Sequence, residues 1–254
     1  MASCGAGGLL CQDEELGYDA ARTPFVAGAP FSLDESYRLA HLPLVAPGHP
    51  GVIARKDGTS YERGRHERVV SLVLPVSATL LQASAAYRAL EAELRASRLS
   101  PKIAWEIADR RRAMLHATIC GSVATGEAPV TLSAGQRDAL ATLGPLTVEL
   151  RGLFSGNINQ GRLYLRAYPE KRGGANLLRR VQAILGWRET TLYLVGLYNF
   201  IDDLDPAEAS VLATLIERWW ERPILRWQVD SLWLLCARDD LVLDGEVEET
   251  IPLC

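Results

Sequence analysis

The chain has 254 residues, 48% of them hydrophobic, and its 27 Lys and Arg against 31 Asp and Glu give a net charge of −4. This length and apolar content suffice for one large domain or two small ones. The acidic balance excludes a global basic field for nucleic acid, although it is compatible with a local basic groove. No apolar run reaches the roughly 18 residues that a membrane helix needs, and the N-terminus lacks the basic residues of a secretory signal. We therefore expect a cytoplasmic protein without membrane contact.

The five cysteines, Cys4, Cys11, Cys120, Cys236 and Cys254, have no short paired spacing and are odd in number. This pattern fits neither a disulfide framework nor a zinc site. We expect reduced thiols, with Cys120 and Cys236 buried in strands, and no bound metal.

Residues 1–66 are rich in Gly and Pro and show little hydrophobic periodicity. We interpret them as an N-terminal extension, partly ordered or disordered, and residues 67–254 as the domain. The domain opens with a unit of alternating strands and helices. The predicted elements of this first unit are a strand at 69–75, a helix at 78–95, a polar helix at 103–112, a strand at 114–123 and a helix at 133–143.

A second unit repeats this order with different residues. Its predicted elements are strands at 146–150 and 161–166, a helix at 175–185, a strand at 191–200 and a helix that begins with a capping box at Asp205-Pro206-Ala207-Glu208, and further strands follow at 229–235 and 248–253. The helices that end the two units have similar sequences at 138–143 and 210–215. Aligning the units makes Leu194 the counterpart of His116.

His116-Ala117-Thr118 lies in an apolar strand, where alternation places the His and Thr side chains on one face. A histidine near its ordinary pKa can transfer a proton, and a Thr hydroxyl can donate a hydrogen bond to a phosphoryl oxygen. A partly buried structural histidine is the alternative interpretation, because a three-residue motif has low specificity.

The order of elements and the His116-Ala117-Thr118 motif together resemble the two-histidine (2H) phosphoesterase superfamily, which includes bacterial RNA 2′,3′-cyclic phosphodiesterases and 2′-5′ RNA ligase-like proteins. The resemblance covers roughly residues 68–253. It implies an α+β fold with two pseudo-symmetric lobes, whose antiparallel sheets face a central groove with helices outside. It also implies chemistry without a metal or other cofactor, in which one histidine is the general base and the other the general acid.

The second motif of that family is degenerate here, because Leu194 and Gly196 stand in the places of its His and Thr. Leu cannot transfer a proton and Gly has no hydroxyl, so the resemblance implies weakened catalysis. A shift of one residue would instead place Tyr193 and Val195 in the groove.

Several other side chains are candidates for the groove. Arg162 and Arg166 are on a predicted strand, and their guanidinium groups suit a phosphate. The alternative is that they are solvent-facing charges on a strand that packs against the core. Tyr193 and Tyr198 flank the degenerate motif and are candidates to contact a base or sugar, with packing as the alternative. The remaining candidates are histidines of the extension, His41, His49 and His66, which we interpret as incidental unless one folds back to replace the missing histidine.

Three functions are compatible with these patterns. The first is a phosphoesterase acting on RNA ends or cyclic nucleotide phosphodiesters, with His116 and Thr118 as its catalytic residues. The second is a non-catalytic protein of the same fold that binds a nucleotide or RNA. The third is an unrelated α+β protein in which the His-x-Thr sequence is accidental.

Overall fold

A computed structural model describes residues 9–253 of the chain. The helices are α1 (Tyr18–Ala21), α2 (Glu35–Ala40), α3 (Leu42–Val45), α4 (Ala78–Ala83), α5 (Ala85–Ala96), α6 (Trp105–Arg111), α7 (Ala134–Leu143), α8 (Leu177–Ile184) and α9 (Pro206–Trp219). The strands are β1 (Arg65–Pro75), β2 (His116–Thr125), β3 (Leu146–Ser155), β4 (Arg162–Pro169), β5 (Lys171–Arg172), β6 (Ala175–Asn176), β7 (Leu194–Asn199), β8 (Pro223–Val229), β9 (Ser231–Asp239) and β10 (Gly245–Pro252).

The main sheet has eight strands in the order β10-β9-β1-β2-β7-β4-β3-β8, and its neighbouring strands are antiparallel. It consists of two four-stranded halves that meet at β2 and β7, where Ala117 pairs with Val195. The predicted α+β class with antiparallel strands is confirmed. The two expected sheets are the halves of one continuous, curled sheet.

The two halves repeat the same order of elements, as the sequence predicts. Helices connect β1 to β2 and α7 follows, while α8 connects β4 to β7 and α9 follows. Helix α8 packs beside β2 of the other half, and α6 packs beside β7. Alternate strand residues such as Leu72, Ala117 and Val195 therefore belong to the buried core, and the intervening residues face the other side of the sheet.

Two boundaries differ from the sequence prediction for identifiable physical reasons. The predicted helix at 78–95 is two helices, because the Ser84 side chain accepts the N–H of Tyr87 and caps a new helix there. The predicted strand at 229–235 is divided at Asp230, where the chain passes from β8 at the edge of one half to β9 in the other. The predicted capping box at Asp205 and the predicted Ser133 cap are both present.

The segment before β1 packs into the same core as the sheet. Tyr18, Tyr37 and Leu42 are fully buried. The Tyr18 hydroxyl donates to the carbonyl of Ala167 at 2.7 Å, and the Tyr37 hydroxyl donates to the carbonyl of Phe200 at 2.6 Å. These bonds fix the segment against the second half of the sheet, although its composition does not indicate a core role. The domain boundary at residue 66 stays a prediction.

Cys11, Cys120 and Cys236 are free and buried, and the last two lie in strands as predicted. Cys4 and Cys254 lie outside the described residues. Every helix within residues 9–253 is too short or too polar to cross a bilayer.

Candidate functional site

A cavity of about 370 Å³ lies where the two halves of the sheet meet. Strand β2 contributes His116 and Thr118 to its wall, and β7 contributes Leu194 and Gly196. Other parts of the wall come from β1, β4, β9, the segment before β1, and the turn between β9 and β10. These parts include Arg162, Tyr164, His41, His66, Asp239 and Asp240.

His116 is held in one orientation and kept neutral. Its Nδ1 lies 2.7 Å from the carbonyl oxygen of Met114, so Nδ1 carries the proton and Nε2 keeps its lone pair. Burial, together with the positive charges of Arg111 and Arg162, lowers the pKa of His116 to about 4 despite the Met114 bond, which opposes this shift. At neutral pH the ring can therefore accept a proton at Nε2.

Thr118 is exposed and lines the same cavity two residues along β2. Ser71 and Ser122 lie on the same wall, and the Ser71 hydroxyl oxygen accepts the backbone N–H of Ser122 at 3.1 Å. The predicted juxtaposition of an imidazole and a hydroxyl on one face is therefore present. A ligand in the cavity has access to both groups.

The pairing of β2 with β7 fixes the place of the degenerate motif. Because Ala117 pairs with Val195 in antiparallel strands, a two-fold relation about this pair exchanges His116 with Leu194 and Thr118 with Gly196. Leu194 and Gly196 both line the cavity. The register inferred from the repeat thus agrees with the structure, and the alternative register with Tyr193 in the groove does not.

Gly196 leaves room for the guanidinium of Arg162. A Cβ atom at position 196 would lie 2.2 Å from Arg162 Nη2 and 2.5 Å from its Cζ. The guanidinium donates from Nη1 to the carbonyl of Asp240 at 3.1 Å and lies 5.3 Å from the ring centroid of Tyr164. The place that would hold the second hydroxyl is therefore occupied by a cation.

Arg111 adds a second cation, which is buried and close enough to Arg162 for their charges to interact. Its Nε donates to the carbonyl of Leu241, and Nη1 donates to the carbonyl of Gly196 at 3.3 Å. Burial and the charge of Arg162 lower the pKa of Arg111 to about 9, while Asp239 opposes the shift. Among residues 9–253, neither Arg111 nor Arg162 has a carboxylate within ion-pair distance. The sequence is compatible with two interpretations of the 110–112 run, a solvated helix end or a group that attracts an anionic ligand.

His41 comes to the cavity from the end of α2. Its ring is fully buried and lies 5.1 Å from the ring centroid of Tyr37. Neither ring nitrogen has a hydrogen-bond partner among the described residues. Burial and the charges of Arg162 and Arg111 lower the pKa of His41 to about 3, although Asp240 opposes them. The imidazole is therefore neutral.

His66 contacts an acidic turn that favours its protonated form. Its Nδ1 lies 2.6 Å from the carbonyl of Glu67, and its Nε2 lies 3.4 Å from Asp240 Oδ1. Because both nitrogens face acceptors, the hydrogen bond to Asp240 raises the pKa of His66 despite burial. Burial opposes ionisation of Asp240, but hydrogen bonds from His66 and Tyr61 outweigh it and lower the pKa of Asp240 to about 2. Asp239 fixes this turn by accepting three backbone N–H groups at 2.9–3.1 Å.

Three of the predicted substrate-binding residues lie away from the cavity. Arg166 is fully buried, bonded to Asp13 at 3.3 Å and to the carbonyl of Trp220, because the N-terminal segment covers this end of β4. The Tyr193 hydroxyl donates to the carbonyl of Thr190 at 2.8 Å on the core side of β7.

Tyr198 is turned into the core by a register shift of β7 between the pairs Leu163–Tyr198 and Tyr164–Gly196. Its hydroxyl lies 3.1 Å from that of Tyr87. Of the four predicted substrate-binding residues, Arg162 alone lines the cavity.

The sequence prediction treated His41 and His66 as incidental unless one of them folds back, and it did not include the Asp240 turn. The first two belong to a segment without periodicity, and their approach to β2 depends on distant anchors such as Tyr37. The third histidine of that segment, His49, lies elsewhere, with Nε2 3.1 Å from Asp202. Among the described residues, no group of His, Cys, Asp and Glu side chains is arranged to hold a metal ion.

Comparisons with known proteins identify no family for this chain. No family model matches it, and no curated protein matches it. Among solved structures, it is similar to the crystal structure of TT0787 of Thermus thermophilus, with 16% sequence identity and a TM-score of 0.41, covering 73% of this chain and 97% of the other. Similarity at this level carries no functional inference.

Proposed function

We propose that this chain is a phosphoesterase-like protein whose cavity binds a phosphodiester of an RNA end or a cyclic nucleotide. One observation carries the proposal. A neutral histidine with a free Nε2, a Thr hydroxyl and the half-buried Arg162 line one cavity, and within the described residues neither Arg162 nor the buried Arg111 near it has a carboxylate within ion-pair distance.

Electrostatics favour an anion in this cavity. A buried or half-buried cation without an ion-pair partner is costly, and a bound phosphate would relieve that cost for Arg111 and Arg162 together. Arg162 presents a guanidinium that suits phosphate oxygens, and Thr118 offers a hydroxyl donor. A bound anion would also raise the pKa of His116 towards its ordinary value, by offsetting repulsion from the two arginines.

In the proposed reaction, a water oxygen attacks phosphorus and His116 Nε2 takes one of its protons. The bond between phosphorus and one ribose oxygen breaks, and that oxygen takes a proton to become a hydroxyl, which leaves a phosphomonoester on the sugar. Leu194 cannot supply this second proton, so it has to come from solvent. Losing one acid/base partner costs a factor of about 10² to 10⁴, and we therefore expect slow turnover.

A second candidate is a non-catalytic nucleotide- or RNA-binding protein with the same site. Leu194 is the observation that favours it, because an apolar side chain stands where the second histidine belongs. The two candidates share the ligand and differ in turnover.

The test is a screen of wild type, His116→Ala and the control His49→Ala against 2′,3′-cyclic nucleotides and RNA with 2′,3′-cyclic ends. Turnover that His116→Ala abolishes and His49→Ala preserves supports the phosphoesterase. Binding without turnover supports the second candidate. Absence of both binding and turnover, or turnover that is insensitive to His116→Ala, contradicts the proposal.

A further inference from the structure

Two polar groups in the wall of the cavity have unused hydrogen-bonding capacity. Both ring nitrogens of His41 and the Nε of Arg162 are buried, and none of them has a hydrogen-bond partner among the described residues. A buried polar group without a partner costs about 1–3 kcal/mol. Two such groups in the wall of one cavity are therefore candidates to bind a partner there.

The chemistry of the two groups defines that partner. The Nε–H of Arg162 can only donate, and a neutral imidazole donates from one nitrogen and accepts at the other. His41 and Arg162 both line the cavity, and the charge of Arg162 acts on the His41 ring. An oxygen atom that accepts two hydrogen bonds satisfies both donors at once.

We propose that His41 and the Nε of Arg162 form a subsite that binds one phosphoryl oxygen of the ligand. This proposal rests on the proposed function, and it makes His41 a ligand-binding residue supplied by the segment before β1. That segment then completes the site as well as packing against the sheet. In this arrangement His41 does not replace the missing general acid, because its ring stays neutral and donates a hydrogen bond only.

The placement of the neighbouring charges agrees with this role. Arg111 and Asp240 both act on the His41 ring, with opposite effects on its protonation. His66 is held by Asp240 and Glu67 through both nitrogens, which leaves it no free donor for the ligand. Of these two histidines, His41 is therefore the one with hydrogen bonds to offer.

The experiment measures binding of inorganic phosphate and of uridine 2′,3′-cyclic phosphate to four proteins by calorimetry. They are wild type, His41→Phe, His41→Gln and His49→Phe, each checked for folding by circular dichroism. We expect His41→Phe to lower the affinity for both ligands about three- to tenfold, which corresponds to the loss of one neutral hydrogen bond. We expect His41→Gln, which keeps an amide donor, to recover part of the loss, and His49→Phe to bind as wild type.

A second measurement does not depend on a variant that folds. In ¹⁵N-labelled wild type, phosphate should shift the ring nitrogen resonances of His41 as well as those of His116. If His116 responds and His41 does not, or if folded His41→Phe binds as tightly as wild type, the subsite holds no ligand oxygen and this inference is overturned while the proposed function stands. If wild type binds neither ligand, the proposed function itself fails.

Discussion

Gly196→Ala is expected to remove Arg162 from the cavity with a single methyl group. The new Cβ would lie 2.2 Å from Nη2 of Arg162, so the guanidinium has to move. The backbone at Gly196 is outside the left-handed region, so alanine adds no backbone strain. The cost therefore falls on Arg162 and on its hydrogen bond to the Asp240 carbonyl.

The magnitude follows from what Arg162 loses. Crowding of a well-packed site costs about 1–3 kcal/mol, and a lost hydrogen bond to a charged group costs about 1.5–3 kcal/mol. These costs are alternatives, because a guanidinium that moves away loses the bond but is no longer crowded, so we expect the free energy of unfolding to fall by about 1–3 kcal/mol. We expect phosphate affinity to fall about 10- to 100-fold, because the cation no longer faces the ligand.

The assay combines urea unfolding with phosphate titration by calorimetry, for Gly196→Ala, Arg162→Ala and the double variant. If Gly196 acts by making room for Arg162, the alanine at 196 has little further effect once Arg162 is absent. Equal effects of Gly196→Ala in both backgrounds, or wild-type phosphate affinity in the single variant, would refute the reasoning.

Three further results are expected. Leu194→His alone should raise turnover of cyclic phosphodiesters about 10²-fold or more by restoring a second acid/base group without displacing Arg162; unchanged kinetics in a folded variant would mean that another residue supplies the proton. Because the pKa of His41 is depressed, the unfolded chain binds a proton at His41 between pH 6.5 and 4 and the folded chain does not. Over this interval the free energy of unfolding of wild type, measured in urea, should fall by about 3 kcal/mol more than that of His41→Phe. Equal decreases in the two proteins would contradict the buried neutral ring. Asp240→Asn should let the pKa of His66 fall, since the carboxylate that raises it is gone, and an NMR titration with an unshifted His66 would show that Asp240 does not hold the imidazolium.

Local sequence patterns were sufficient to predict part of the site. Alternation in β2 places His116 and Thr118 on one face, and the repeated order of elements makes β2 and β7 equivalent, which gives the place of Leu194. These features depend on residues that are close in sequence or on an internal repeat, and both can be recognised in a single sequence.

The remaining part depends on contacts between distant residues. Tyr198 shares the parity of Gly196, but a register shift in β7 turns it into the core. Arg166 shares the parity of Arg162, but Asp13 of the N-terminal segment pairs with it and covers it. His41 reaches the cavity through the same segment. Neither strand alternation nor composition contains this information.

The most direct test of an anion site at His116 is its titration by NMR, with and without uridine 3′-monophosphate. In the free protein we expect the pKa of His116 near 4, because burial and the two arginines oppose its protonation. Bound phosphate should raise this pKa by about one unit or more, since it offsets the arginines and favours the imidazolium. A His116 pKa that is near 6.5 in the free protein, or that does not change at saturating nucleotide concentration, would contradict a phosphate site formed by His116 and Arg162.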